Sequence, residues 1–381
     1  MNNKVAIERC SAYEPEAVFQ ALKKAAEFSG VLDLTGKTVL LKPNILSDAV
    51  PENAKTTHPV FLEAAIRLVR DWGAVRILVG DSPGIQTPGF SGKVCGLGEV
   101  TVKNGAEWVD FTREKTEISC PEGKVMKKFS LTHAVQEADL VISLPKLKTH
   151  QLMYYTGAMK NLFGLIPSVE KCTYHVRFPG RNSFARMIVD LNLAVKPAYA
   201  FMDAIVGMEG PGPGSGDPRQ IGVVMTSSNL LAMDVAACEI IGYPPAEIPV
   251  NKEALKRGAW LSDFGEIEYP GLAPADVHIS DYEKVPFKKA KFQLLEFILP
   301  LRLRKFMDSF SEVPEINQTD CVRCGACKRI CASRAIMTTG DGENMRFSID
   351  HRKCIRCFCC HEVCPAKAIE IVKPGKINKK V

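Results

Sequence analysis

No long apolar run occurs in these 381 residues. The most hydrophobic stretch, FQLLEFILPL (292–301), is interrupted by Glu296 and Pro300 and is too short to cross a bilayer. No charged-then-apolar leader opens the chain, since MNNKVAIERCSAYEPEAV turns polar too early. No G-x-G-x-x-G follows a strand signal, so NAD and FAD are not expected. The basic C-terminal tail lacks the aromatic interleaving that single-stranded nucleic acid needs, so no nucleic-acid partner is expected either. From Ser311 onward 13 Lys and Arg face 8 Asp and Glu, so nearly all of the net +6 lies there. That surface offsets an anionic cofactor or meets an acidic partner.

What the chain does have is clustered cysteine. Nine of its 14 cysteines fall between Cys321 and Cys364, and only Cys10, Cys95, Cys120, Cys172 and Cys238 lie elsewhere. A disulfide framework would spread them through a small domain; clustering without an export signal reads as metal ligation in a reducing compartment, hence a cytoplasmic location. Two runs share the spacing Cys-x2-Cys-x2-Cys-x3-Cys: Cys321, Cys324, Cys327, Cys331, and Cys354, Cys357, Cys360, Cys364. Three thiolates on one tight loop hold three irons of a cubane, and the fourth reaches the other cluster. Two [4Fe-4S] clusters are therefore expected, one on Cys321, Cys324, Cys327 and Cys364, the other on Cys354, Cys357, Cys360 and Cys331. Zinc is the weaker alternative for such Cys-x2-Cys pairs. Gly325 and Ala326 let the first loop close tightly. With every iron ligated, the tail conducts single electrons and leaves no open metal for a substrate.

This tail, from about Pro314 to Lys373, resembles the bacterial two-cluster ferredoxin domain, a small α+β unit. Cys364-Pro365 carries the family's proline. Ala332 stands where the first repeat would have one, which leaves the start of that helix less fixed. Cys359 is an extra thiol in the second loop, either a spare ligand or a small buried residue.

Before the tail, strand and helix signals alternate. KTVLLKPNI (37–45) and VRILVGDSPG read as strands running into turns; PVFLEAAIRLVRDWG reads as a helix from Pro59 to Gly73. ADLVISLPKLKTH reads as strand, proline, then polar loop, and YAFMDAIVGMEGPGPGSGDP as strand and loop. RQIGVVMTSSNLLAMDVAACEIIG adds a strand and a helix. Such alternation predicts an α/β domain with a mainly parallel sheet covered on both faces and a ligand rim at the strand ends. On that rim fall Lys42, Asn44, Asp81, Ser82, Lys146, Lys148, His150, Asp203, Glu209 and Asp234, with Lys160 and Asn161 close behind. Each has a structural alternative: Asn44 as a turn residue, Asp81 and Ser82 as helix caps, Asp203 satisfying loop amides. Collected on one rim, four lysines require something anionic nearby. The glycines of EGPGPGSGDP permit close approach of a ligand or of the cysteine-rich tail.

LLKPNIL, GDSPG, LPKLKTH, MKNLFG and MEGPGP, in this order between Lys37 and Gly242, resemble the domain-of-unknown-function family 362. That resemblance implies an α/β domain, often followed by a ferredoxin tail, with no assigned substrate. Residues 1–283 are expected to form it, 284–313 a linker helix, and 314–381 the two-cluster domain. The linker's apolar residues have basic flanks; docking on the α/β domain is favoured over contact with an anionic membrane surface.

Two functions compete. In the first, the chain is an electron-transfer protein serving a redox partner protein, either a carrier or a factor activating another metalloenzyme, or its own N-terminal domain. In the second, it is an iron–sulfur reductase. Lys42, Asp81, Lys146, Lys148, His150, Lys160 and Asn161 would then bind an anionic small molecule, with His150 delivering a proton.

Overall fold

The computed structural model describes residues 2–84, 90–287 and 312–373. The apolar stretch of the expected linker helix lies outside them. Among the described residues no helix is long and apolar enough to cross a membrane.

The strands run β1 (Ala6–Arg9), β2 (Thr38–Pro43), β3 (Arg76–Val79), β4 (Glu107–Trp108), β5 (Lys115–Ser119), β6 (Lys128–Thr132) and β7 (Leu140–Leu144). After these come β8 (Lys146–His150), β9 (Tyr154–Thr156), β10 (Tyr199–Glu209) and β11 (Asp217–Ser227). The main sheet has the order β1-β11-β10-β7-β2-β3-β4, with β8 and β9 attached beyond β10. Its centre, from β10 through β7, β2 and β3 to β4, is parallel. The α/β expectation with a mainly parallel sheet therefore holds, although β1 and β11 join antiparallel at one edge.

Side chains alternate between two cores because a strand's side-chain period is two. On β2, Leu40 faces one core while Val39 and Leu41 face the other; on β7, Val141 opposes Ile142 and Leu144. The helices Pro15–Ser29 and Pro59–Asp71 cover one face. Arg181–Val195 and Leu230–Ile240 cover the other. Pro59 opens its helix as expected, where its missing N–H costs nothing.

One expectation is corrected. Residues 146–150 form a strand rather than a polar loop. Pro145 ends β7, but β10 runs eleven residues and outlasts it, pairing first with β7 and then with Lys146 and Lys148 of β8. The Pro145 carbonyl accepts the Asp203 amide at 2.9 Å, bridging the switch. Polar side chains in this strand are tolerated because all five of its residues are buried against specific partners.

The C-terminal unit is built from β12 (Val313–Ile316), β13 (Ile336–Thr339), β14 (Arg346–Ile349) and β15 (Ile369–Val372). Two short antiparallel pairs, β12 with β15 and β13 with β14, flank the helices Ala326–Ile330 and Cys359–Glu362. Its two halves repeat the same backbone. Arg323 and Arg356 share φ 56°, Gly325 and Phe358 lie at 69° and 61°, and Arg334 and Lys367 share 51°. Phe358 holds a left-handed conformation that favours glycine, and does so 2% exposed, fixed by packing.

Candidate functional site

Eight thiols sort into two sets as the spacing requires. One hollow is lined by Cys321, Cys324, Cys327 and Cys364. A second is lined by Cys331, Cys354, Cys357 and Cys360, together with Cys359. All eight are free thiols. Among the described residues no three Cys, His, Asp or Glu side chains converge to hold one metal ion. Four thiols spaced around a hollow instead suit a cubane, in which each ligand meets a different iron. The residues therefore fit [4Fe-4S] clusters. The fourth cysteine of each run sits past the end of its short helix rather than on it, and the third sits within the helix. There Cys331 Sγ accepts the Ala335 amide and Cys364 Sγ the Ala368 amide, both at 3.2 Å. Ala332 in place of proline leaves this turn unchanged.

At the α/β rim, β2 and the turn after β3 bring Lys42 and Asp81 into a buried ion pair at 2.8 Å. Asp81 caps no helix; it accepts the Ile45 amide at 2.5 Å and the Ser82 amide at 2.7 Å. Lys42 Nζ also reaches Asn161 Oδ1 at 3.1 Å, and Asn161 accepts from Asn44 Nδ2 at 3.1 Å. Gly164 lies so close that any added Cβ would strike Lys42 and Asp81.

Because β8 is a strand, Lys146, Lys148 and His150 share one face. Lys146 pairs with buried Asp203 at 2.8 Å and donates to the Tyr13 hydroxyl at 2.6 Å. Asp203 accepts Tyr13 and the His58 amide, and His58 stacks on Tyr13 at 3.6 Å. Lys148 meets only neutral acceptors, Asn44 Oδ1 at 2.5 Å and the Lys55 carbonyl at 2.9 Å. Burial, reinforced by Lys160 and Lys146, holds its pKa well below the usual range. His150 Nδ1 accepts the Leu152 amide, so the neutral ring carries its proton on Nε2, which faces Glu362 Oε1 at 3.5 Å. Burial and the surrounding cations depress His150 strongly.

Two rim candidates lie elsewhere. Asp234 is committed to Tyr155 and the amides of Ala158 and Met159. Glu209 sits at the far end of β10, against Arg219 and the Glu283 amide.

Several residues at the site carry no sequence signal. Lys171 and His175, on the helix Ser168–Arg177, face the same rim, and the Lys171 ammonium donates to the Ser82 carbonyl. Burial pushes Lys171 down to about 7 and His175 to about 3. Glu362 comes from the other end of the chain. Burial pushes its carboxyl up to about 7, against the pull of Lys160, Lys148 and Lys171.

Glu362 arrives because the cysteine-rich unit is docked on the rim. Ser215 Oγ donates to the His361 carbonyl at 3.2 Å, and Lys367 pairs with Asp217 at 2.8 Å. A Cβ at Gly214 would strike the Glu362 carbonyl. The loop EGPGPGSGDP thus admits the cysteine-rich unit, one of its two expected occupants. Cys172 Sγ approaches the Ile330 carbonyl at 3.5 Å and packs with the thiol-lined core. Its electrostatic neighbours Cys357 and Cys331 both belong to the second set, so that set faces the α/β domain.

Fold and site together define an α/β domain carrying an iron–sulfur electron-transfer module. The chain belongs to the family described as Domain of unknown function (DUF362), whose model matches residues 39–239. A 4Fe-4S dicluster domain matches residues 313–365. A thylakoid-associated protein of Synechocystis is 28% identical over 314 residues, covering 81% of this chain and 95% of its own. Among solved structures, a lactate racemase apoprotein from Thermoanaerobacterium thermosaccharolyticum is 14% identical with a TM-score of 0.39, covering 60% of this chain and 55% of its own. A Thermotoga maritima protein is 12% identical with a TM-score of 0.38, covering 67% of this chain and 60% of its own. This chain thus spans well under two thirds of either solved chain's length.

Proposed function

We propose that this is an electron-transfer protein with two [4Fe-4S] clusters, whose cysteine-rich module serves the α/β domain it is docked on. The docking carries this reading: the second thiol set faces Cys172, and Glu362, two residues before Cys364, is buried among the rim lysines. Such clusters, when bound, accept and release single electrons. The chain's own residues bring them within a few side chains of the rim, exclude water there, and surround it with cations that would neutralise incoming negative charge. His150 presents Nε2–H towards the same space. The docked second set favours an activity on an anionic small molecule at the rim, while the first set's loop, with Cys324 exposed, leaves a face open to an outside partner.

The test uses oxygen-free full chain, chemically reduced and mixed separately with the low-mass and protein fractions of a cell extract. Reoxidation is followed by visible absorbance. The low-mass fraction is expected to reoxidise the chain; reoxidation by the protein fraction alone would make it a carrier for an outside partner. The Synechocystis relative's thylakoid association also supports a place at a membrane surface, met by the basic tail, as an alternative to the cytoplasm.

A further inference from the structure

The two halves of the cysteine-rich unit share one backbone but not one set of side chains. Arg323 with Arg356, and Gly325 with Phe358, hold the same left-handed conformation, so Ala326 and Cys359 fall on matching positions, each opening its short helix. Each also lines one of the two hollows. Ala326 stands beside Cys321, Cys324, Cys327 and Cys364, and Cys359 beside Cys331, Cys354, Cys357 and Cys360. Either hollow has its four ligand thiols without these residues, one for each corner of a cubane. Cys359 is therefore an extra thiol with no iron to bind. It is 8% exposed, and its Sγ is hydrogen-bonded to Cys357 Sγ. A ligand thiolate has no proton to give, so Cys359 is the donor.

A second position differs in the same sense. Ser333 lines the second hollow, and its Oγ lies 3.6 Å from Cys331 Sγ. The matching residue beside Cys364 is Ala366. The turns themselves are alike, with Cys331 accepting the Ala335 amide and Cys364 the Ala368 amide, both at 3.2 Å. Side-chain donors to ligand sulfur thus stand at two positions around the second set, and alanine stands at both matching positions around the first. Reduction adds negative charge to a group that is already negative, and a hydrogen bond to its sulfur stabilises that more negative state. Burial acts the other way, because a drier site disfavours added charge. The second set is the one that faces Cys172 and the α/β domain, whereas the first ends at exposed Cys324. The two donors stand where burial would otherwise hold the potential down.

We infer that Cys359 and Ser333 set the direction of electron flow: their hydrogen bonds to Cys357 and Cys331 hold the second cluster's reduction potential above the first's, so that electrons entering beside Cys324 collect at the docked end. One electron leaves the first cluster and one arrives at the second, while the Cys359 and Ser333 protons stay in place. Both are positioning residues that act through a ligand sulfur. This rests on the two-cluster reading and adds the order in which the clusters fill.

The experiment is an anaerobic redox titration of the iron-loaded full chain followed by EPR, in which two midpoints are expected. Cys359→Ala and Ser333→Ala install the residues that the first set has at these positions. Each should lower the higher midpoint by about 30–60 mV, which is about three- to tenfold in the one-electron equilibrium constant and the usual worth of one hydrogen bond, and leave the lower midpoint in place. Both should move the same midpoint, although the two residues belong to different cysteine runs. Cys359→Ser keeps a donor and should retain most of the potential. Ala366→Ser, at the matching position beside Cys364, should raise the lower midpoint, a gain that a folding defect does not produce. Alanine variants that shift the lower midpoint, shift a different midpoint each, or shift neither overturn the inference. So does loss of about four irons in Cys359→Ala, which would make Cys359 a ligand. Midpoints are read at equilibrium with no extract present. Shifted midpoints without reoxidation by small molecules would therefore refute the electron-delivery reading alone, and the converse result would refute this inference alone.

Discussion

Lys42–Asp81 and Lys146–Asp203 show how a charged residue survives in a core: each ammonium has a carboxylate at 2.8 Å and further neutral acceptors. Removing one partner strands the other. Lys146→Met is expected to destabilise by about 3–5 kcal/mol, and Lys146→Met with Asp203→Leu to recover much of that loss. Urea unfolding read by Trp72, Trp108 and Trp260, all in the α/β domain, measures both. The buried histidines set an acid limit. His58 is depressed to about 4 and His175 to about 3, chiefly by burial, from an ordinary 6.5. Between pH 6.5 and 4 the unfolded chain takes up protons that the folded chain refuses, so stability falls as pH falls, by up to about 1.4 kcal/mol per unit for each histidine. Asp234, raised to about 6 by burial, and Glu362, raised to about 7, oppose this by holding a proton in the folded state, while His150, also strongly depressed, adds to the histidines' side. The net expectation is a lower urea midpoint at pH 5 than at pH 7, with His175→Phe reducing the difference. At this scale Lys42, Lys148, His150 and Lys160 were legible because they stand beside strand and turn signals. Lys171 and Glu362 were not: a lysine on an amphipathic helix and a glutamate between cysteines look like solvated residues until docking buries them.

At the scale of elements, β10 decides the arrangement. Its eleven residues outlast β7 and capture residues 146–150 as a strand. Sequence pattern placed the elements on either side correctly but read this piece as a loop, because strand capture depends on a partner's length and not on local alternation. The loop after β10 then sets the seat for the cysteine-rich unit. Gly214 has no room for a side chain against the Glu362 carbonyl. Gly214→Val should displace the unit while leaving both thiol sets intact. Carbodiimide cross-linking of the 2.8 Å Lys367–Asp217 pair reads this directly: the cross-link should form in the unsubstituted chain and be largely lost in the variant. An undiminished cross-link would show that the seat tolerates the added methyls.

For the whole molecule, the cysteine spacing made the iron–sulfur module legible, since a cubane imposes its geometry on sequence, and the thiols line two hollows in the interleaved sets that spacing suggests. The relation between the two units was legible only as one of two expected occupants of the glycine loop. It depends on surface complementarity among a glycine loop, Cys172 and the 359–362 helix, none of which has a periodic signature. Two four-thiol sets predict about eight irons and eight sulfides per chain after anaerobic reconstitution. The central claim is that the docked module delivers electrons into the α/β domain. Its most direct test is the reoxidation rate of chemically reduced, fully iron-loaded chain by the low-mass extract fraction, compared with Gly214→Val of equal iron content. The docked account predicts a rate at least about tenfold lower in the variant, as transfer across a lost contact requires; equal rates would contradict it.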